Sequence, residues 1–236
     1  MDLGLRDRVA IVTAASKGLG RASAEALAAE GAKVLLNARS ADLLHELAAT
    51  MDDALVVPGD ITDPDLPAQL VDAAIERWGR LDIVVGNAAG PPGGRALAVD
   101  DQQILDAVNA NLLASVRLAR AAVPHLQEGG WGRICFIASV TVRQPIPDLA
   151  LSNVARAGLW GWVKTAAQDL AGDGITVNLA CPGLHATDRL LERGVTGRTG
   201  GVADFGKVVA FLCSEPAAFV NGIAMGVDGG TVTGLL

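Results

Sequence analysis

The chain has 236 residues, half of them hydrophobic but only 3% aromatic, with no tyrosine and a formal net charge of −7. That length suits one α/β domain with a substantial core, and the apolar content excludes a disordered chain. The acidic balance makes the chain a poor match for nucleic acid or anionic membrane surfaces, and neither is expected as a partner.

Short apolar runs alternate with longer amphipathic stretches. Arg8 to Thr13 reads as a buried strand, and Gly18 to Glu30 as a helix stopped by Gly31. Lys33 to Asn37 is a second strand, followed by a helix capped by Ser40 and running through Thr50. Ala54 to Val57 is a third strand, Pro64 to Trp78 a helix, and Leu81 to Gly86 a fourth strand. One long helix is expected from Asp101 to Gln127, with Pro124 bending its end. Then come a strand at Arg133 to Ala138, a long helix at Leu149 to Ala171 and a strand at Ile175 to Ala180. A helix at Val202 to Cys213 and a last strand at Ile223 to Val227 complete the series.

This alternation predicts a single-domain Rossmann fold over residues 1–236. Its parallel sheet of about seven strands is doubly wound, with helices on both faces. Ligands of such sheets bind beyond the carboxyl ends of the strands, so the loops there carry the functional reading.

The turn after the first strand is Thr13-Ala14-Ala15-Ser16-Lys17-Gly18-Leu19-Gly20. Its glycines let the backbone approach a phosphate, and the helix N-terminus favours the negative charge. After the second strand, where a carboxylate would hold the 2′-hydroxyl of NAD, stand Ala38 and Arg39, with Lys17 nearby. Two cations and no acid point to a 2′-phosphate, hence NADP(H) rather than NAD(H).

The Gly-rich turn, Asp60-Ile61, Asn87-Ala88-Ala89-Gly90, the segment Pro182-Gly183-Leu184-His185-Ala186-Thr187 and the terminal Val227-Asp228-Gly229-Gly230 together resemble the short-chain dehydrogenase/reductase family. Within it the chain resembles the 3-oxoacyl-[acyl-carrier-protein] reductase-like subgroup. The resemblance covers residues from about Arg8 to Gly230, and Ala14 stands where the family has its first glycine. It implies that Thr13, Ser16, Lys17, Gly18, Leu19 and Gly20 surround the cofactor, that Asp60 and Ile61 contact the adenine, and that Asn87 to Gly90 line the cofactor. It further implies that Pro182, Gly183 and Thr187 hold the nicotinamide end.

The resemblance also implies an Asn-Ser-Tyr-Lys set for reduction of a ketone to a secondary alcohol. Asn111 and Ser139 match its first two members. At the YxxxK positions the chain has Ser152 and Arg156, so the phenol acid is absent and an ever-protonated guanidinium stands for the amine. Arg156 can still hold the ribose. Three readings follow for the catalytic positions Asn111, Ser139, Ser152 and Arg156: reduction with Arg156 and Ser139 as hydrogen-bond donors and water as proton source; recruitment of another acid, Asp148 or His185; or an NADP(H)-binding protein without turnover, acting as a sensor or partner subunit.

The loop from Asp188 to Gly201 is short for the family, and Arg189, Arg193 and Arg198 there could greet a carrier-bound carbonyl substrate. The resemblance also implies a homo-oligomer, tetramer or dimer, formed through the two long helices. Cys135, Cys181 and Cys213 lie far apart without CxxC spacing, so neither a metal site nor a disulfide framework is expected. Charged residues at the N-terminus in place of an apolar signal core, and no run long enough to span a bilayer, point to a cytoplasmic protein.

Overall fold

In the computed structural model, which describes residues 1–187, 190 and 198–234, the chain builds a sheet of seven parallel strands. The strands are β1 (Val9–Val12), β2 (Lys33–Leu36), β3 (Ala54–Val56), β4 (Ile83–Gly86), β5 (Gly132–Ile137), β6 (Ile175–Pro182) and β7 (Ala224–Val227), in the order β3-β2-β1-β4-β5-β6-β7. The helices are α1 (Gly18–Ala29), α2 (Ala41–Ala48), α3 (Leu66–Trp78), α4 (Asp101–Val108), α5 (Ala114–Glu128), α6 (Ala150–Asp169) and α7 (Val202–Leu212).

The strands read as continuous apolar runs because both faces are covered. Along β1, Val9 and Ile11 enter one core with Ile134, Phe136, Val177 and Leu179. Ala10 and Val12 enter the opposite core with Cys135, Ile137 and Ala180. The period of two thus divides one run between two layers. The first core lies under α3, α5 and α6, and the second under α1, α2 and α7. The chain turns back on itself between β3 and β4, so β1 and β4 become neighbours and their carboxyl ends open a crevice. Opposite that crevice, the buried Asp82 carboxylate accepts from the Val9 backbone N–H and the Arg8 guanidinium, each at 2.9 Å.

The expected helix from Asp101 to Gln127 is not continuous. Asp100 caps α4 reciprocally with Gln103, and at Asn109–Leu113 the backbone widens into a π-helical turn before α5 resumes. Such a turn inserts an extra residue into a helix and re-aims its side chains. Periodicity alone does not reveal it, because both flanks keep helical spacing. Pro124 lies inside α5, which continues to Glu128. Gly158 of α6 faces this turn: a Cβ there would stand 2.7 Å from Leu112 Cδ1, so glycine lets α6 lie against it. Elsewhere the expected boundaries hold to within one or two residues, and α6 is followed by a short 3₁₀ turn at Ala171–Asp173.

Candidate active site

The crevice above β1 and β4 is a cleft of about 810 Å³. Each strand from β1 to β6 contributes to its wall through its carboxyl end or the loop that follows. Of the expected cofactor residues, Ser16, Lys17, Gly18, Leu19, Arg39, Asp60, Ile61, Asn87, Ala88, Ala89, Gly90, Arg156, Pro182 and Thr187 line it together.

Thr13 and Gly20 stand behind the wall. Thr13 Oγ1 donates to the Asn87 carbonyl at 2.7 Å and accepts from the Asn87 N–H at 2.8 Å, fastening the turn after β1 to the loop after β4. Gly20 is packed against the turn itself: a Cβ there would lie 2.3 Å from the Ala14 carbonyl oxygen. Gly183 borders the neighbouring cavity described below.

Ala14 keeps the conformation that glycine would take, at φ 47°. An L-residue in the left-handed region costs about 1–2 kcal/mol, and glycine returns part of that as chain entropy. Ala14→Gly is therefore expected to stabilise the protein by about 0.5–1 kcal/mol and to raise its melting temperature by a few degrees. A thermal scan showing an unchanged or lower temperature would count against strain in this turn.

The walls fit a dinucleotide. Lys17 opens α1 without a side-chain cap bond, and no acidic residue lies in the first turn, so the helix amides face the cleft uncompensated. Asp60 is the one carboxylate among the described lining residues. It accepts from the Thr62 N–H at 3.0 Å and from Thr62 Oγ1 at 2.8 Å, and it lies 3.9 Å from Arg39. The Thr62 backbone and hydroxyl donors, with Arg39 contributing less, hold its carboxyl below the usual range.

At the other end, a second cavity of about 230 Å³ adjoins the cleft, and Arg156 borders both. The guanidinium is buried and donates to the Ile137 carbonyl and to Asn111 Oδ1, each at 3.0 Å. Asn111 lies on the π-helical turn, 4% exposed, and lines neither cavity. It acts on the site by holding Arg156. Its Nδ2 finds no partner among the described residues.

Ser139 and Ser152 line the second cavity. Ser139 Oγ accepts from the Thr141 N–H at 3.2 Å, which leaves the hydroxyl proton for a ligand. Ser152 Oγ lies 3.3 Å from Thr141 Oγ1.

Of the two other acids considered, Asp148 is set aside. Its side chain is 75% exposed, pairs with Arg95 at 3.6 Å and lines neither cavity. His185 does border the second cavity, but its ring packs edge-on against Phe205 and its Nδ1 lies 3.4 Å from the Gly183 carbonyl. The thiols are all buried, and burial pushes that of Cys181 up to about 12. Arg198 is exposed, while Arg189 and Arg193 lie outside the described residues. The apolar walls from Pro91, Leu149 and Leu190 carry no motif, and only the fold brings them to the cavity.

A doubly wound sheet with an anion-favouring helix end, an adjoining small cavity and a fixed cation between them defines a dinucleotide-dependent oxidoreductase domain. The chain belongs to the short-chain dehydrogenase/reductase family, and its residues 13–232 match the family model described as enoyl-(acyl carrier protein) reductase. It is 32% identical over 242 residues to 3-oxoacyl-[acyl-carrier-protein] reductase FabG of Escherichia coli (strain K12), covering 97% of this chain and 98% of that one. It is 31% identical over 242 residues to tropinone reductase-like 3 of Erythroxylum coca, covering 95% and 93%. The crystal structure of L-sorbose reductase from Gluconobacter frateurii complexed with NADPH and L-sorbose superposes over the full length of both chains, with a TM-score of 0.95 and 31% identity.

Proposed function

We propose that the protein is an NADP(H)-dependent reductase that converts a ketone, of the 3-oxoacyl-thioester type, to a secondary alcohol. The observation that carries this reading is the place of Arg156, fixed from behind by Asn111 and the Ile137 carbonyl and bordering both cavities. The relatives support it: FabG and tropinone reductase-like 3 are named as reductases, and the sorbose reductase was crystallised with NADPH. A binding-only role draws no support from them.

The bound dinucleotide supplies a hydride. Arg156 holds the ribose and directs positive charge toward the ketone oxygen, where negative charge develops. Ser139 donates its hydroxyl proton to the same oxygen in a hydrogen bond. Neither a serine hydroxyl nor a guanidinium gives up its proton near neutrality, so water completes the alcohol. The test is the loss of NADPH absorbance with a panel of small ketones and 3-oxoacyl thioesters. Binding of NADPH with no turnover on any of them would return the protein to a binding-only role.

The coenzyme choice rests on Arg39 and Lys17 at the wall and on Ala38 in place of an acid. Arg39→Ala is expected to weaken NADPH at least about tenfold more than NADH, from loss of a charged hydrogen bond. A fluorescence titration reads both affinities, and an equal loss would refute a 2′-phosphate contact.

Assembly as a dimer or tetramer is part of the same reading. Leu105 of α4 is 60% exposed and Val154 of α6 is 51% exposed, with Leu113 of the π-helical turn between them in the chain. Apolar side chains left on these helices suit a second copy as partner. The buried, unpaired thiols suit a cytoplasmic location, and no described helix is long and apolar enough to cross a membrane.

A further inference from the structure

The π-helical turn is held on two sides. Asn109 and Asn111 are two residues apart, so their side chains leave the helix in nearly opposite directions. Asn111 Oδ1 accepts from Arg156 at 3.0 Å, at the reacting end of the cleft. Asn109 Nδ2 donates to the Thr62 carbonyl at 3.3 Å, and Asn109 Oδ1 accepts from Arg117 at 2.7 Å. Thr62 belongs to the other end of the cleft wall, where Asp60 accepts from both its N–H and its hydroxyl and lies 3.9 Å from Arg39. Ala110, between the two asparagines, lines the cleft itself. A chain of polar contacts thus runs Arg39, Asp60, Thr62, Asn109, the π-helical turn, Asn111, Arg156.

We propose that Asn109 is a positioning residue that ties the adenosine-side wall of the cleft to the turn orienting Arg156, so that filling the adenosine end sets the guanidinium at the reacting end. The inference rests on the NADP(H) reading above. Its physical basis is that a π-helical turn interrupts the regular α-helical ladder, a feature frequent at functional sites, and that this one is held by side chains on both flanks. Asn109 fixes the turn from one side, and Asn111 transmits its position to the other. Arg117 keeps the Asn109 amide oriented, since its bond to Oδ1 leaves Nδ2 pointing at the Thr62 carbonyl.

The probe is adenosine 2′,5′-bisphosphate, which fills the adenosine end and has no nicotinamide half to reach Arg156. The readout is the Arg156 Nε–H resonance in protein carrying isotope-labelled arginine, assigned by its disappearance in Arg156→Lys. In the wild-type protein the probe is expected to move that resonance. In Asn109→Ala it is expected to bind and leave the resonance still.

Should the probe fail to bind the wild-type protein, the NADP(H) reading falls and the coupling with it. Should it bind without moving the Arg156 resonance, or move it equally in Asn109→Ala, the coupling is overturned while the NADP(H) reading stands. Kinetics give a second measurement. Asn109→Ala is expected to lower kcat about tenfold while KM for NADPH changes less than about threefold, as for a misplaced catalytic group. Arg117→Lys keeps a donor and should retain most of the rate, whereas Arg117→Met should behave like Asn109→Ala. A purely structural role would lower the melting temperature of these variants and leave kcat per folded molecule unchanged, and that result would also overturn the proposal.

Discussion

Arg156→Leu is expected to lower turnover by about 10²–10⁴-fold, the range seen when a group that stabilises or protonates the transition state is removed. The substitution also strands two acceptors. The Ile137 carbonyl and Asn111 Oδ1 each receive a guanidinium N–H at 3.0 Å inside the core, and leucine offers them nothing. Leaving a buried polar group unpaired costs about 1–3 kcal/mol, so the variant should also melt earlier. Arg156→Lys separates the two effects. A single ammonium keeps the charge but cannot span both acceptors with a planar fork. Folded Arg156→Leu with wild-type turnover would remove Arg156 from the chemistry and reopen the choice of the group that stabilises the charge developing on the ketone oxygen.

Gly20→Ala is expected to cost the protein its nucleotide site. The added Cβ would stand 2.3 Å from the Ala14 carbonyl oxygen and 2.8 Å from Asn87 Nδ2. The first is backbone and cannot swing aside. Ala14 already sits in the left-handed region, so the turn has little freedom left to yield. Overpacking of this kind costs about 1–3 kcal/mol, and the displaced turn would also pull the amide end of α1 away from the phosphates. Titration should show NADPH affinity reduced by at least about tenfold, with the melting temperature lowered in parallel. Retained affinity would mean that the turn tolerates a shift that the packing forbids.

Much of this architecture was legible in the chain because parallel strands buried on both faces leave long apolar runs, and the loops between them carry glycine and small polar residues. The order β-α-β survives any error of one or two residues at an element's end. The break in the helix over Asp101 to Gln127 was not legible, since a single inserted residue at Asn109–Leu113 leaves the apolar spacing on either side intact. The site was legible as a set of residues but not as a division of labour. Thr13, Gly20 and Asn111 were expected at the cofactor or the chemistry, and they lie one layer back, tying together the pieces that reach the cleft. Motif spacing reports that a residue matters to a site, and it is silent on whether the side chain faces the ligand or its neighbour. Asn109 shows the converse: no motif marks it, and its importance arises from two hydrogen bonds to residues 47 and 8 positions away.

The tie between Val9 and Asp82 spans 73 residues, and it bears on how the molecule comes to be built. β1 precedes the other strands of this sheet in the chain, yet it occupies an interior place in the finished sheet, between β2 and β4. Its β2 side can be satisfied early, because that partner follows after one helix. Its β4 side must wait for the whole of α2, β3 and α3 to be synthesised. Pairings between distant segments form slowly, and an unpaired apolar strand edge is open to wrong partners in the interval. Until β4 is present, β1 therefore has one edge without its partner, and Asp82, just ahead of β4, carries the carboxylate that ties Arg8 and the start of β1 to that strand.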